Sequence, residues 1–408
     1  MDKLNIRIFD DEPENIEKWR SALEGVAAVK GLCDVSGLND EQFREGLSSV
    51  EARRRHTRDP APDAVQGESQ PNCFDETDIL VIDYDLFKVG ERRDLTGEEV
   101  AYLVRCFSHC KLIVALNQGY APNSNPFHLD LRPHPQSWAD LNISSKQLHN
   151  PGVWGTWNQG MRPWYWPNLI RAAGDFARCV ADVAALPEDA RILETLGLDE
   201  AHLAVGLSPA MLKPLVRGGT APEDLTFARL ADLRLRAKDR LWEPARSSIA
   251  VAAVRGWLDR FVLPPQNILV DAPHLITRFP SLLPEQTADA ADRTTTLGSD
   301  ADLTMDLDAV STARFAGIHW LSRPVWYWHL LNDLDLPENL DPWGSPSLDA
   351  VFCEDLSRFL PRTAARRYLS GLSPEFLHRW VADPEEPQAK AILGDDRVDY
   401  DNDWLLAL

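Results

Sequence analysis

Apolar and polar positions alternate in a regular way through the first third of the chain. Leu4-Asn5-Ile6-Arg7-Ile8-Phe9 reads as a short strand that stops at Asp10-Asp11-Glu12-Pro13. Ile16, Trp19, Leu23 and Val26 then recur at helical spacing, and Pro13 suits the first turn of that helix. Residues 32–38 predict a second strand, and Phe43, Leu47 and Val50 mark a second helix. Asp78-Ile79-Leu80-Val81-Ile82 is a continuous apolar run, as expected of a parallel strand covered on both faces, and it ends in Asp83-Tyr84-Asp85. Thr96 with Glu99 forms a capping box ahead of a helix whose apolar face is Val100, Leu103, Val104 and Phe107. Residues 111–116 form a fourth strand ending at Asn117, and residues 138–143 a weaker fifth, followed by Ser144-Ser145-Lys146. Between helix and third strand, residues 52–77 carry Arg53-Arg54-Arg55, Pro60, Pro62, Gly67 and Pro71 and read as an inserted polar loop with a solvated arginine run.

Strand and helix alternating over residues 4–145 predicts an α/β, doubly wound, parallel five-stranded sheet. Such a sheet binds ligands at the carboxyl ends of its strands, near the switch point of strand order. Asp10, Asp11 and Asp83 all fall at strand ends, so the fold would gather them at one edge. Three carboxylates there repel one another unless a divalent cation binds, and oxygen-only ligation fits Mg²⁺. Phosphoryl transfer is the matching chemistry, with one Asp as nucleophile and Lys146 placed to pair with phosphoryl oxygens.

Asp10-Asp11 after the first strand, Ile-Asp83-Tyr-Asp-Leu at the third, Gly97-Glu98-Glu99-Val100 opening a helix, Leu-Ile-Val-Ala-Leu-Asn117 and the late Lys146 together resemble the receiver domain of two-component response regulators. The resemblance covers residues 1–186, a receiver-like (flavodoxin-like) domain. It implies Mg²⁺ held by Asp10, Asp11, Asp83 and the backbone carbonyl of Asp85. It implies Asp83 as phosphoacceptor from a sensor histidine kinase, Lys146 as phosphate contact and Asn117 at the switch position. The family usually has Ser or Thr at that switch position, a Lys-Pro where Lys146-Gln147 stands, and an aromatic where Ile143 stands. The expected function is therefore an atypical response regulator in a phosphorelay, a phosphoprotein rather than a dedicated enzyme. The alternative is a phosphate-independent pseudo-receiver scaffold for protein–protein interaction.

Residues 187–408 show no such resemblance and read as a mainly α-helical second domain, with Ser208-Pro209 and Ser373-Pro374 as helix starts and Ser247 or Ser248 capping the helix through Trp257 and Phe261. The one strand-like run there is Asn267-Ile268-Leu269-Val270-Asp271. Asp271 and His274, with His319, His329, Cys353 or His378, are candidates for an enzymatic effector site. No spacing among them matches a metal or nucleophile motif, so hydrogen-bonded structural histidines are the favoured reading. Aromatic clusters at Trp154–Trp166 and Trp320–Trp328 read as cement between the two parts rather than a ligand platform.

Composition narrows the partners. The chain has 408 residues and a formal net charge of −21, shared between both halves, since residues 1–189 carry 20 basic and 30 acidic side chains and residues 190–408 carry 22 and 33. An acidic chain with no basic arm is a poor ligand for DNA. The six cysteines include no Cys-x-x-Cys pair, and Cys106 and Cys110 read as core residues on one helical face. No apolar stretch reaches membrane-spanning length, and the first residues do not resemble a secretory signal. A cytoplasmic protein with a protein partner for its output is the expectation.

Overall fold

The computed structural model describes residues 3–59, 71–86, 95–117, 125–126, 137–155, 162, 164, 166–198, 206–216, 221–279, 282, 308–315, 318–334, 350–367, 379–393 and 398–399. Its N-terminal part is an all-parallel sheet of five strands: β1 (Leu4–Phe9), β2 (Cys33–Gly37), β3 (Ile79–Asp83), β4 (Leu112–Asn117) and β5 (Leu141–Ser144). They lie in the order β2-β1-β3-β4-β5, which is flavodoxin-like and compatible with a receiver-like fold. All five residues of β3 are buried, which is why four of them are aliphatic. Each of its aliphatic side chains contributes about 2 kcal/mol by leaving water.

Three helices connect the strands. In α1 (Pro13–Glu24), Pro13 occupies the first turn, and Trp19 and Leu23 face the core. In α2 (Asp40–Arg58), Asn39 and Gln42 form a reciprocal capping box. In α3 (Gly97–Phe107), the Thr96 hydroxyl accepts from the Glu99 N–H at 3.2 Å. Residues 52–58, expected as loop, are the last two turns of α2, and the expected solvated arginine run is partly wrong. Arg53 lies one helical turn beyond Val50 on the buried face, where its guanidinium grips Asp75 at 2.7 Å and donates to the Phe107 carbonyl at 2.9 Å. Arg54 turns toward Asp239, and only Arg55 is left to solvent. Likewise α3 ends at Phe107, so Cys110 is not on the helix with Cys106, although both thiols are buried.

After α4 (Leu169–Ala185), the second half contains α5 (Phe227–Arg234) and α6 (Arg246–Trp257), which pack on each other. Helix α6 also packs against α4 and α3, joining the second half to the first. It starts at Arg246 after a short turn whose last residue is Ala245, so Ser247 and Ser248 lie inside it rather than capping it. Among the described residues this half combines helices with strands. Strand β6 (Leu269–Asp271) leads into α7 (Ala272–Arg278) and pairs antiparallel with β7 (Val325–Tyr327). A separate four-stranded sheet comprises β8 (Ala350–Cys353), β9 (Arg358–Pro361), β10 (Ala365–Arg367) and β11 (Trp380–Ala382), in the order β9-β8-β11-β10. These strands are three or four residues long, too short to show a period in sequence. Ser373-Pro374 lies outside the described residues.

One large apolar cluster runs from Ile6 to Ala389, and a smaller one gathers Val270, Leu275, Phe279 and Trp326. The aromatic clusters fall within these two. Trp154, Trp164, Trp166, Trp320 and Trp326 are buried, and the Arg162 and Trp164 backbone N–H groups donate to the Asp355 and Glu354 carbonyls at 3.0 and 2.8 Å. Trp157 and Trp343 lie outside the described residues.

A charged knot sits behind Trp164. The fully buried Glu354 carboxylate takes hydrogen bonds from the Trp164 indole N–H and the Arg379 guanidinium, and lies 3.2 Å from His274 Nε2. On its other side His274 Nδ1 is 2.5 Å from Asp271 Oδ1, and the Asp271 carboxylate caps α7 through the His274 N–H. Burial alone would push the His274 ring down, but Asp271 and Glu354 raise it to about 9. Its stabilising charge is therefore fully present below the free value of 6.5 and lost as pH rises through about 9. The expected result of His274→Gln is a stability loss greater at pH 6 than at pH 10 by on the order of 3 kcal/mol, read from urea unfolding at both pH values.

Candidate functional site

Register decides what meets at the carboxyl edge of the first sheet. Phe9 pairs with Ile82 across β1 and β3, so Asp10 and Asp83 are the next residues on neighbouring strands, about 4.8 Å apart in backbone spacing. Strand β2 lies to one side of β1 and β3 to the other, so this pair stands at the switch point of the sheet. Both carboxyl groups are buried, at 1% and 3% exposure.

Local structure holds each in place. Asp10 Oδ1 accepts from the Glu12 N–H at 2.6 Å and Oδ2 from the Asn15 side-chain amide at 3.1 Å, tying β1 to the first turn of α1. Asp83 Oδ2 accepts from the Asp85 N–H at 3.2 Å, whereas its Oδ1 is buried with no hydrogen-bond partner. The start of α3 closes on the Asp83 backbone. The Gly97 N–H donates to the Tyr84 carbonyl at 2.7 Å, and a Cβ at Gly97 would lie 2.4 Å from the Asp83 carbonyl oxygen. Glycine is required here by proximity. The sequence pointed to Gly97 as a helix start but not to this close approach. Asn15 was also missed; its only signal is an amide five residues after Asp10, in the helical turn that follows.

Burial, then the neighbouring Asp10 carboxylate, raise the Asp83 carboxyl to about 7, against backbone N–H groups that favour its charged form. Asp10 is raised mainly by burial too, with Asp11 and Glu12 adding repulsion. Asp11 itself is half-buried at the start of the turn into α1. Among the described residues no group of three His, Cys, Asp or Glu side chains is gathered closely enough to hold a metal ion.

The other predicted residues lie on the same edge. Asn117 ends β4 and pairs in register with Ser144 at the end of β5. Lys146 follows in a single turn of 3-10 helix, exposed, its backbone N–H donating to Ser144 Oγ at 3.3 Å. Asp85 bridges to Thr96 through backbone pairing. Among the described residues the alternative candidates do not gather into one metal-binding set. Asp271 and His274 belong to the buried knot, His319 pairs with Asp175 at 3.1 Å, and Cys353 is a buried strand residue whose thiol burial pushes well up. His378 lies outside the described residues.

Comparison with family models, curated proteins and solved structures finds no match for this chain. The receiver resemblance thus rests on the ordered residues and on the strand order. Among the described residues no helix is long and apolar enough to cross a membrane.

A buried carboxyl whose proton is favoured in the fold opposes folding as it ionises. Asp83 lowers stability as pH rises from about 4 to about 7, by up to about 4 kcal/mol. Asp83→Asn is expected to raise the thermal unfolding midpoint at pH 8 in buffer without divalent cations and to change it little at pH 4, measured by calorimetry. Gly97→Ala is expected to cost about 1–3 kcal/mol at both pH values, because the Cβ displaces the Asp83 backbone.

Proposed function

We propose that the chain is an atypical response regulator in a phosphorelay, whose receiver-like part accepts a phosphoryl group on Asp83. The observation that carries this reading is the buried Asp10–Asp83 pair at the switch point, with Asp83 Oδ1 lacking a hydrogen-bond partner. Two adjacent buried carboxylates with an unsatisfied oxygen fit a hard divalent cation, and the oxygen-only donor set fits Mg²⁺. Asp10 and Asp83 would hold it through their carboxylates, with Asp11 and the Asp85 carbonyl as the further donors that the receiver resemblance implies. When bound, such an ion offsets the negative charge of both carboxylates and of an incoming phosphoryl group.

Each protein group has a definable part. An Asp83 oxygen attacks phosphorus in line, an oxygen–phosphorus bond forms, and the bond to the donor's leaving nitrogen or oxygen breaks with its electron pair. The Glu12 N–H and Asn15 amide keep Asp10 oriented and favour its charged form. Lys146 contributes positive charge from the end of the same sheet edge. The donor would be a phosphohistidine of a sensor kinase, and the response would pass to the second half and its protein partner.

A second reading is a pseudo-receiver that binds a partner without phosphorylation. The lack of a gathered three-residue ligand set among the described residues favours it. Intact mass spectrometry after incubation with Mg²⁺ and acetyl phosphate separates the two. Phosphorylation predicts one added phosphoryl group in the wild type and none in Asp83→Asn or without Mg²⁺. An unmodified wild type across several donors supports the scaffold.

A further inference from the structure

A cavity of about 100 Å³ lies against α6. Leu112 and Leu141, the first residues of β4 and β5, line it together with Ser137, Trp138 and Asp140. The carboxylate pair sits where strands end, so this cavity opens at the opposite end of the sheet, some ~16 Å of strand away. It is a separate site.

Its wall is rich in guanidinium groups. Arg234 comes from the end of α5, Arg255 from α6, Arg260 from the turn after it and Arg323 from the segment before β7. Two carboxylates share the lining, Asp140 and Asp259. Asp140 already receives the buried Arg105 guanidinium and the Ile113 N–H, the latter at 2.8 Å. An arginine does not shed its proton inside a protein, so four arginines against two aspartates give the lining a net positive charge in a chain whose net charge is −21. The strain on one of them is visible: burial pulls Arg260 below its ordinary value in spite of Asp259, Asp140 and Glu98.

The guanidiniums are also positioned before any ligand arrives. Arg255 Nη2 donates to Ser322 Oγ at 2.9 Å, Arg234 lies over the Trp138 ring at 5.1 Å, and Arg323 lies over Trp164 at 5.2 Å and 3.9 Å from Asp271. Arg260 Nη2 reaches the Ala139 carbonyl at 3.4 Å. A cavity of about 100 Å³ suits a small oxyanion. The four arginines come from α5, from α6 with the helical turn that continues it, and from the segment before β7, so they reach the cavity from more than one element. That arrangement matches a tetrahedral anion better than a planar carboxylate, which one or two forks satisfy.

We propose that this cavity binds a small tetrahedral oxyanion of the phosphate class, recognised by Arg234, Arg255, Arg260 and Arg323. Because the walls come from the edge strand β5, from α5 and α6 and from the segment before β7, the bound anion ties the second half to the sheet. It stabilises the assembled chain by mass action. The site is independent of phosphoryl chemistry at Asp83.

Isothermal titration of the full chain with inorganic phosphate, sulfate and acetate at constant ionic strength tests this. The expected result is saturable, one-to-one binding of phosphate and sulfate, with acetate at least tenfold weaker. Arg260→Gln and Arg255→Gln should each weaken phosphate at least tenfold, and Ala253→Leu, which fills the cavity and keeps every charge, should abolish binding. Circular dichroism confirms that each variant is folded, and Asp83→Asn should bind phosphate as the wild type does. No saturable binding of phosphate, equal binding of acetate, or binding that survives both Ala253→Leu and Arg260→Gln would overturn the proposal. Loss of phosphate binding in Asp83→Asn would instead place the anion at the carboxylate edge and overturn it as well.

Discussion

Two carboxyl groups on neighbouring parallel strands, both out of water, cannot both be ionised unless something positive joins them. That constraint organises the first sheet's carboxyl edge. It arises because β1 and β3 are hydrogen-bonded neighbours in parallel register and both end in Asp, so the backbone ladder alone sets the separation of Asp10 from Asp83. Asp10 accepts hydrogen bonds from the Glu12 N–H and the Asn15 amide, which oppose the effect of its burial, while Asp83 keeps one oxygen unsatisfied. The pair is held by the buried β3 strand and by the start of α3, where Gly97 leaves the space that a Cβ would take from the Asp83 carbonyl.

Two other carboxylates, Asp239 and Glu354, are matched by cationic and hydrogen-bonding partners. Asp239, from the second half, takes Arg54 and Arg58 of α2 and the Tyr102 hydroxyl of α3, and these partners hold its carboxyl below its ordinary value despite burial. Glu354 does the same for Trp164, His274 and Arg379. Both knots tie residues far apart in sequence, so the two halves share ion pairs as well as a core. Buried pairs of this kind add little net stability over apolar packing, but breaking one strands its partner at a cost of several kcal/mol. A signal at the carboxyl edge would therefore act on a molecule whose halves are already joined through α3 and α6.

The first sheet was legible because its signals are long and mutually consistent. β3 is four consecutive apolar residues flanked by Asp78 and Asp83, and α1 and α3 announce themselves with Pro13 and Thr96. Asp10 and Asp83 were legible as strand ends, and parallel topology then brings strand ends to one edge. The β8–β11 sheet was not, since strands of three or four residues carry no measurable period and β11 pairs in parallel with β8 from 27 residues away, Cys353 opposite Trp380. Arg53 was misread because three consecutive arginines look like a solvated run, and only the turn of the helix sends the first of them inward. The arginine-lined cavity had no sequence signal at all: its four guanidiniums come from positions spread between 234 and 323, and no spacing rule connects them.

The titration of the Asp83 side-chain carboxyl, followed by carbon-13 NMR with Asp83→Asn for assignment, tests the central claim most directly. The account predicts a midpoint near 7 in the absence of divalent cations and a fall well below that when Mg²⁺ is added. A midpoint near the ordinary carboxylate value, unmoved by Mg²⁺, would contradict it.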